Sequence, residues 1–232
     1  MVVTVHDPGT GPRRIRIDLH IHTCYSGDCL SSLEDIIAAT GNAGLDALAI
    51  TDHNAIDGAL ALQAMAPFPV IVGEEVGTCE GEVIGLFLQE FIPKGLTVAE
   101  TMRHIREQGG LVYVPHPFDR YRPSALGEAR LLSILDQVDA IEVLNARAIE
   151  PADNETARVF AQQHGIPCGA GSDGHTLFEI GQAYVEMEPF TDRDSFLHSL
   201  ACGQVHGGVS GPYVHLFSTW AKIAKRGGTW LG

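Results

Sequence analysis

Histidines and carboxylates recur at the points where short apolar runs of this sequence end. The first run leads into His20 and His22, which are two residues apart and therefore point to the same side of an extended segment. Two imidazoles placed in this way can bind one divalent cation. Groups of the same kind follow five later apolar runs: Thr51-Asp52-His53, Glu74-Glu75, His116-Pro117, Asn145 and Ser172-Asp173-Gly174-His175.

The chemistry that these six groups suit is the binding of divalent metal ions. They offer imidazole nitrogens and carboxylate oxygens without a cysteine, a set that is typical of sites for zinc, manganese or iron. One tetrahedral site needs only about four ligands, so this number of candidates predicts more than one ion. Because neighbouring residues of a strand point in opposite directions, at most one of Glu74 and Glu75 should face the ions.

Short strands and amphipathic helices must position these groups, because apolar runs alternate with helical patterns along the chain. Strands are predicted at residues 14–20, 47–51, 70–75, 82–88, 111–114, 140–144, 167–171, 183–187 and 204–207. Helices are predicted at residues 33–42, 56–65, 98–108, 126–135, 153–164 and 193–201, and residues 214–225 form an amphipathic end. Ser31 and Glu34 have the spacing of a capping box for the first helix.

The alternation predicts an α/β fold with a mostly parallel sheet and helical crossovers. A barrel and an open doubly wound sheet both fit this pattern. A nucleotide-binding open sheet is disfavoured, because neither a glycine-rich dinucleotide fingerprint nor a Walker loop follows a strand. In both architectures the site forms at the C-terminal ends of the strands, so the six groups should open onto one face.

The composition restricts the partners and the compartment. A net charge of −14 over 232 residues disfavours binding of long double-stranded nucleic acid, whereas a short or terminal phosphate stays compatible because bound metal ions invert the local charge. The five cysteines form no CxxC pair and predict neither a disulfide framework nor a thiolate zinc site. Without a signal-peptide pattern or a run of about 20 apolar residues, the sequence predicts a cytoplasmic protein that has no membrane segment.

The groups occur in an order and spacing that resemble the PHP (polymerase and histidinol phosphatase) family of metal-dependent phosphoesterases. The resemblance runs from about Ile15 to His175, and the remainder resembles the C-terminal segment of small stand-alone members. It implies a distorted seven-stranded (β/α)7 barrel with the metal site at the C-terminal ends of the strands. It also implies one domain over residues 1–232, with a core at about 14–181 and a family-associated segment at about 182–232. The motifs that carry it are His20-x-His22-Thr23, Thr51-Asp52-His53, Glu74, His116-Pro117 and Ser172-Asp173-x-His175.

The resemblance further implies two or three divalent ions and a ligand set for each, and between the two adjacent glutamates it favours Glu74. Many members with three ions supply a histidine to the second ion from the sixth strand, where this chain has Asn145. Asn145 is therefore either a weak ligand through its carbonyl oxygen or a contact to substrate. The implied sets are His20, His22, Glu74 and Asp173 for the first ion, Glu74 and His116 for the second, and Asp28, His53 and His175 for the third.

A mechanism follows as a hypothesis, in which water activated by the metal cluster attacks a phosphoester. Arg147 is the first candidate for a phosphate clamp, because a guanidinium matches phosphate in a bidentate manner, and Arg120 and Arg122 are second candidates. Asp52 is interpreted as a residue that orients a ligand imidazole through its other nitrogen, or as the cap of the following helix.

Three functions are compatible with such a site. The leading one is hydrolysis of a small or terminal phosphoester, with a small-molecule phosphoester or a short nucleotide as substrate. The second is hydrolysis of an amide or another ester, because activated water does not select its electrophile. The third is a metal-binding regulatory module without catalysis, since a fold alone does not establish activity. The short connections between Glu75 and His116 leave little room for a cap, which predicts an open, shallow pocket.

Overall fold

The computed structural model describes residues 14–211 and 213–226, and in this part of the chain nine strands form a single sheet. Numbered along the chain, the strands lie across the sheet in the order 7, 6, 5, 4, 3, 2, 1, 8 and 9. The N-terminal segment on which the signal-peptide prediction depends lies almost wholly outside the described residues. The strands are β1 (Ile15–Ile21), β2 (Ala47–Ile50), β3 (Val70–Gly77), β4 (Glu82–Leu86), β5 (Leu111–Val114), β6 (Ala140–Asn145), β7 (Cys168–Gly171), β8 (Ala183–Met187) and β9 (Gln204–Gly207).

Helices connect most of these strands, and each predicted strand and helix occurs with ends that differ by at most two residues. The predicted capping box of the first helix is wrong by one position, because Ser32 and not Ser31 accepts a hydrogen bond, from the Asp35 amide at 3.2 Å. None of the described helices is long and apolar enough to cross a membrane. The helices are α1 (Leu33–Asn42), α2 (Asp57–Met65), α3 (Val98–Glu107), α4 (Gly127–Ser133), α5 (Pro151–His164), α6 (Arg193–Ala201) and α7 (Val214–Arg226), and a short 3-10 helix covers Leu135–Gln137.

The sheet curls until its β7 side returns to β1. The backbone amide of His22 donates to the Gly174 carbonyl at 3.0 Å, directly after β7, and the Gly174 amide donates to the His20 carbonyl at 3.3 Å. Buried Asp18 reinforces this junction, since its carboxylate accepts from the amides of Ser172 at 2.9 Å and Gly181 at 3.0 Å. The fold is therefore a nearly closed α/β barrel, which confirms the barrel and excludes the open sheet.

Two details differ from a regular barrel of seven parallel strands. β4 runs antiparallel to both β3 and β5, so β3 and β4 form a hairpin and no helix separates them. The predicted count of seven strands is not confirmed, because β8 and β9 continue the sheet from β1 in antiparallel pairings.

Two clusters of buried apolar side chains make the scaffold rigid. The larger one joins the strands to the helices through residues such as Ile36 of α1, Leu62 of α2 and Phe160 of α5. The smaller one contains strand residues together with Phe196 and Leu200 of α6. Because close-packed interiors resist deformation, side chains at the ends of these strands are held in fixed positions.

Candidate metal centre

The structure brings seven of the eight predicted ligands together at the C-terminal ends of the strands. The five imidazoles lie close to one another, with ring centroids 4.1 Å apart for His22 and His175 and 4.5 Å apart for His22 and His53. His53 is partly exposed and the others are buried. The seven residues are His20, His22, Asp28, His53, His116, Asp173 and His175.

The first group of ligand atoms comes from β1 and from the turn after β7. Nε2 of His22 lies 3.3 Å and Nε2 of His20 lies 3.7 Å from Oδ1 of Asp173. His22 Nε2 and Asp173 Oδ1 are buried and have no hydrogen-bond partner among the described residues. Buried polar atoms are nearly always paired, so two such atoms facing each other fit the coordination of a cation.

Glu75, and not Glu74, lies among these imidazoles, so the structure does not bring Glu74 to the place where the resemblance puts a ligand to two ions. Glu75 is fully buried, with Oε2 3.0 Å from His53 Nδ1 and 3.3 Å from His20 Nε2, and Oε1 3.0 Å from His116 Nε2. Glu74 points away from it and accepts a hydrogen bond from the Ile92 amide at 2.9 Å, and burial raises its pKa to about 7. The alternation of side chains along β3 permits only one of the two to face the histidines.

The third predicted set also converges. Asp28, in the loop after β1, lies with Oδ1 3.3 Å from His175 Nε2 and with Oδ2 3.5 Å from His53 Nε2. Nδ1 of His175 is 2.8 Å from the Asp173 carbonyl, which fixes the tautomer that directs Nε2 toward Asp28. These three side chains form a group at the open edge of the centre.

Glu82 is a neighbour of this centre that the sequence analysis missed. It is the first residue of β4, and its carboxylate lies 3.8 Å from His116 Nε2 and 3.9 Å from His53 Nδ1. Together with Glu75 and His53 it forms another group whose ligand atoms are close enough to hold an ion. The hairpin between β3 and β4 places it there, and only the strand register, which pairs it with Gly77, reveals this.

Asn145, predicted as a weak ligand or a substrate contact, is engaged within the protein. Its side-chain oxygen accepts from the Arg147 amide at 2.9 Å, while its NH₂ group donates to Glu142 at 2.9 Å and to Asp173 Oδ2 at 3.3 Å. The carbonyl is thus not directed at the histidines. The contacts place Asn145 as a residue that positions Asp173.

Glu142 of β6 connects several parts of the centre, and the sequence analysis gave it no role. Its Oε1 is 3.1 Å from His20 Nδ1, and its Oε2 accepts from the His116 amide at 2.8 Å. A carboxylate on one imidazole nitrogen orients the ring so that the other nitrogen faces the ligand site. Glu142 fills the imidazole-orienting role that was predicted for Asp52.

Asp52 neither orients a ligand imidazole nor caps a helix, but binds Thr23. Its carboxylate accepts hydrogen bonds from the Thr23 amide at 2.6 Å and from the Thr23 hydroxyl at 2.7 Å, and it contacts no ligand imidazole. It makes no capping bond to α2 either, because that helix begins after Ile56 without a side-chain cap. Burial raises the pKa of Asp52 to about 6. Asp52 holds the start of the loop that carries Asp28.

The charges of the centre are strongly coupled. Burial alone would lower the pKa of His20, but Glu75, Asp173 and Glu142 outweigh it and raise that pKa well above its ordinary value. For His22, burial and the neighbouring His175 and His53 lower the pKa well below its ordinary value. Burial opposes ionisation of Glu75, yet the surrounding imidazoles hold its pKa well below the usual range. Such perturbed groups are characteristic of functional sites.

Two of the ligand positions have unusual backbone conformations. His116 has φ 28° and Asp173 has φ 52°, and each lies two residues after the end of a strand. Positive φ values are uncommon for residues other than glycine and cluster at functional sites. At His116 the backbone amide donates a hydrogen bond to Glu142, which helps to hold this conformation.

The three arginines considered as phosphate clamps differ in their surroundings. Arg120 turns away and forms an ion pair with Asp153 of α5, at 2.6 Å. Arg147 lines the cavity but is buried, and it donates to the Val214 carbonyl at 3.0 Å and to the Ser218 hydroxyl at 2.9 Å. It therefore holds α7 on the barrel. The guanidinium that was the first candidate for a phosphate clamp is thus engaged with α7.

Arg122 is the arginine placed best for an anion. It lines the cavity, its side chain is 19% exposed, and its Nη1 lies 2.7 Å from Asp173 Oδ2. Burial alone would lower its pKa, but Asp173 and Glu75 raise it further above its ordinary high value, so the guanidinium stays charged. The cavity has a volume of about 270 Å³ and opens directly over Asp28, His53, Asp173 and His175.

Comparisons of sequence identify the family. A family model described as "PHP domain" matches residues 18–109, and one described as "PHP-associated" matches residues 151–205. One uncharacterized protein of Methanocaldococcus jannaschii is 41% identical over 147 residues, which are 57% of this chain and 82% of that protein. A second uncharacterized protein of this organism is 34% identical over 176 residues, 75% of this chain and 70% of that protein. The chain belongs to the PHP family, whose members are metal-dependent hydrolases.

Solved structures with similar folds support this assignment at the level of the fold. PsfC from Pseudomonas syringae aligns with a TM-score of 0.68 at 17% identity, over 91% of this chain and 99% of that one. A two-domain protein from Bacteroides vulgatus, described as containing a predicted PHP-like metal-dependent phosphoesterase, aligns with a TM-score of 0.67 at 15% identity. That alignment covers 85% of this chain but only 66% of the other. An amidohydrolase from Chromobacterium violaceum with bound sulfate and no metal aligns with a TM-score of 0.61 at 15% identity, over 88% of this chain and 96% of that one.

Proposed function

We propose that this chain is a metal-dependent phosphoesterase that hydrolyses a small or terminal phosphoester. The observation that supports this most is the convergence of five imidazoles with Glu75, Asp173 and Asp28 beside the charged guanidinium of Arg122. Nitrogen and oxygen ligands of this kind suit zinc, manganese or iron. The small volume of the cavity, about 270 Å³, favours a small or terminal phosphate group.

The proposed ligand sets differ from those implied by the family resemblance in two positions. Glu75 would take the place that the resemblance gives to Glu74, because its two oxygens face different imidazoles. Glu82 takes the place of the sixth-strand histidine that this chain lacks. The sets are His20, His22, Glu75 and Asp173 for the first ion, Glu75, Glu82 and His116 for the second, and Asp28, His53 and His175 for the third.

Bound divalent cations supply an activated water and neutralise phosphate charge. The residues of the chain have separate tasks around them. Glu142 orients His20, the Asp173 carbonyl orients His175, and Asn145 restrains the Asp173 carboxylate. Arg122 binds the phosphate oxygens from the cavity side, since a guanidinium can donate two parallel hydrogen bonds to phosphate.

Arg122 provides the test of the phosphoesterase assignment. Metal-loaded Arg122→Ala should lose about 10²- to 10³-fold in kcat/KM for p-nitrophenyl phosphate, which is typical for removal of one donor that stabilises transition-state charge. Arg120→Ala is the matched control, because its partner Asp153 lies outside the cavity, and it should stay within about threefold, as surface changes usually do.

The contrary outcomes separate the alternatives. Turnover of an amide or carboxylic-ester panel but of no phosphoester, unaffected by Arg122→Ala, would establish the second function considered for this site. Absence of turnover on both panels by protein that carries its metals would leave a regulatory metal-binding module.

A further inference from the structure

A second cavity opens beside the candidate metal centre. Its volume is about 660 Å³, larger than the 270 Å³ of the cavity that contains Arg122. The two cavities share four lining side chains, which are Asp28, His53, Glu82 and Lys222. The second cavity is therefore adjacent to the one over the metal centre, with these four side chains at the boundary.

All three lysines of the chain line this second cavity, which we call the lysine cavity. The sequence contains only Lys94, Lys222 and Lys225 among 15 cationic residues, and the chain as a whole carries a net charge of −14. Arg226 adds a fourth cation. Lys94 comes from the loop between β4 and α3, whereas the other three lie on α7, so the fold and not local sequence assembles them. The cavity wall thus has a positive charge that the acidic chain does not predict.

One lysine has a structural role. Lys225 donates from Nζ to the carbonyls of Cys24 and Ser26, both at 2.5 Å, and so fastens α7 to the loop that carries Asp28. This contact fixes the wall of the cavity relative to the metal centre.

The other cations differ in their pairing. Lys222 is 55% exposed and forms an ion pair with Asp28, with Nζ 3.2 Å from Oδ2, at the boundary of the two cavities. Lys94 and Arg226 are exposed and form no ion pair within residues 14–211 and 213–226. The acidic lining residues Asp28 and Glu82 both face imidazoles of the metal centre, so the outer wall is left cationic.

We propose that the lysine cavity binds a second anionic group of the substrate, a phosphate or a carboxylate, in addition to the phosphoester that is hydrolysed. This inference rests on the proposed function for the place of the first phosphate. Lys222 contacts the second group nearest to the metal centre, and Lys94 and Arg226 contact it farther out. Preferred substrates are then small dianionic or more highly charged molecules with two separated anionic ends.

The test measures binding separately from turnover. Metal-loaded protein is titrated by calorimetry with butylphosphonate, with 1,4-butanediphosphonate and with 5-phosphonopentanoate, and linkers of two to six carbons are then compared. The diphosphonate should bind about tenfold or more tightly than the monophosphonate, as expected for one additional charge-assisted contact. Equal affinity of the phosphonocarboxylate and the diphosphonate would identify a site that accepts carboxylate, and weaker affinity would identify a site for phosphate.

Substitution of the lysines tests whether they cause the higher affinity for the diphosphonate. Lys94→Gln and Lys222→Gln should each reduce the affinity ratio of diphosphonate to monophosphonate several-fold, and Lys94→Arg should restore it. Arg103→Gln is the matched control, because it removes an exposed cation that pairs with Glu107 on α3 and does not line the cavity. The ratio should not change in this variant.

The outcomes distinguish the two proposals. Equal affinities for the mono- and diphosphonate, or a ratio that Lys94→Gln and Lys222→Gln leave unchanged, would overturn the second anion site while the phosphoesterase assignment stands. Failure to hydrolyse both butyl phosphate and butanediol bisphosphate would overturn the phosphoesterase assignment, and the ratio of phosphonate affinities would still decide whether the lysines bind an anion.

Discussion

At the residue scale, Glu75 accounts for more of the site than any other side chain, because its two oxygens reach imidazoles from three different strand ends. Side-chain alternation predicts that only one of Glu74 and Glu75 faces them. The sequence does not say which, since both follow the same apolar run. The choice depends on the pairing of β3 with the segment that follows β2, where the Glu75 amide donates to the Asp52 carbonyl at 3.1 Å, and this long-range register is not encoded locally.

Separate substitution of the two glutamates tests which of them is a metal ligand. Glu75→Gln should weaken binding of Mn²⁺ by at least about 100-fold, because loss of a direct ligand exceeds the 10- to 100-fold that orienting partners contribute. Glu74→Gln should bind Mn²⁺ as the wild type does, since that side chain contacts the Ile92 amide instead. Calorimetric titration of both apo variants measures the difference, and the reverse pattern would restore the original prediction.

Glu142 is a second residue whose function depends on contacts far apart in sequence. Glu142→Gln keeps the shape of the side chain but removes the charge that orients His20, so metal affinity should fall about 10- to 100-fold. Glu155→Gln, on the exposed side of α5, is the control and should not alter affinity. Unchanged metal affinity in Glu142→Gln, measured by competition with a chromogenic chelator, would contradict the orienting role.

At the scale of the elements, the strands and helices could be predicted because their periodicity is local. The site residues that the sequence patterns did not predict are positioned by contacts between different strands and helices. Glu82 enters the centre through the β3–β4 hairpin, and the lysine cavity needs α7 to pack beside the loop that carries Asp28. Arg120 and Arg147 were assigned by proximity in sequence, which cannot show that Asp153 and α7 occupy their guanidinium groups.

The junction of β1 and β7 shows how closely the elements must approach. Gly171, the last residue of β7, lies against His20, and an added Cβ would overlap the Cβ of that residue. Gly171→Ala should therefore destabilise the fold by about 1–3 kcal/mol, as overpacked interiors do, and should displace His20. Urea unfolding measures the free energy, and Mn²⁺ titration measures the displacement.

Gly41 is a control position at which a change from glycine to alanine should stabilise the fold. It lies in α1, is exposed, and has no atom within 4 Å of an added Cβ. Gly41→Ala should stabilise the protein by about 0.5–1 kcal/mol, because alanine is the better helix former. If both alanine variants changed stability equally, close approach at the β1–β7 junction would not be what requires glycine at position 171.

At the scale of the whole molecule, folding gathers mutually repelling groups. Asp28, Glu75, Glu82 and Asp173 lie around five imidazoles in an acidic chain, and bound cations would compensate these carboxylates, of which all but Glu82 are buried. Ligands that bind only the folded state stabilise it by mass action, by about 2.7 kcal/mol at a concentration 100 times Kd. For a chain of this length that corresponds to a rise in Tm of about 5–10 °C.

Removal of the ions should reverse this effect. Protein dialysed against EDTA should melt about 5–10 °C below protein with saturating Mn²⁺, and Glu75→Gln should show little of this difference. Differential scanning calorimetry with and without Mn²⁺ measures it. An identical Tm in both conditions would show that the carboxylates and imidazoles are compensated without a cation.

Binding of divalent cations by these side chains can be observed by anomalous diffraction from crystals soaked in Mn²⁺. We expect a strong anomalous peak bounded by His20, His22, Glu75 and Asp173, with further peaks beside His116 and beside Asp28. A map without a peak among the first four residues, or with the ion on Glu74, would contradict it.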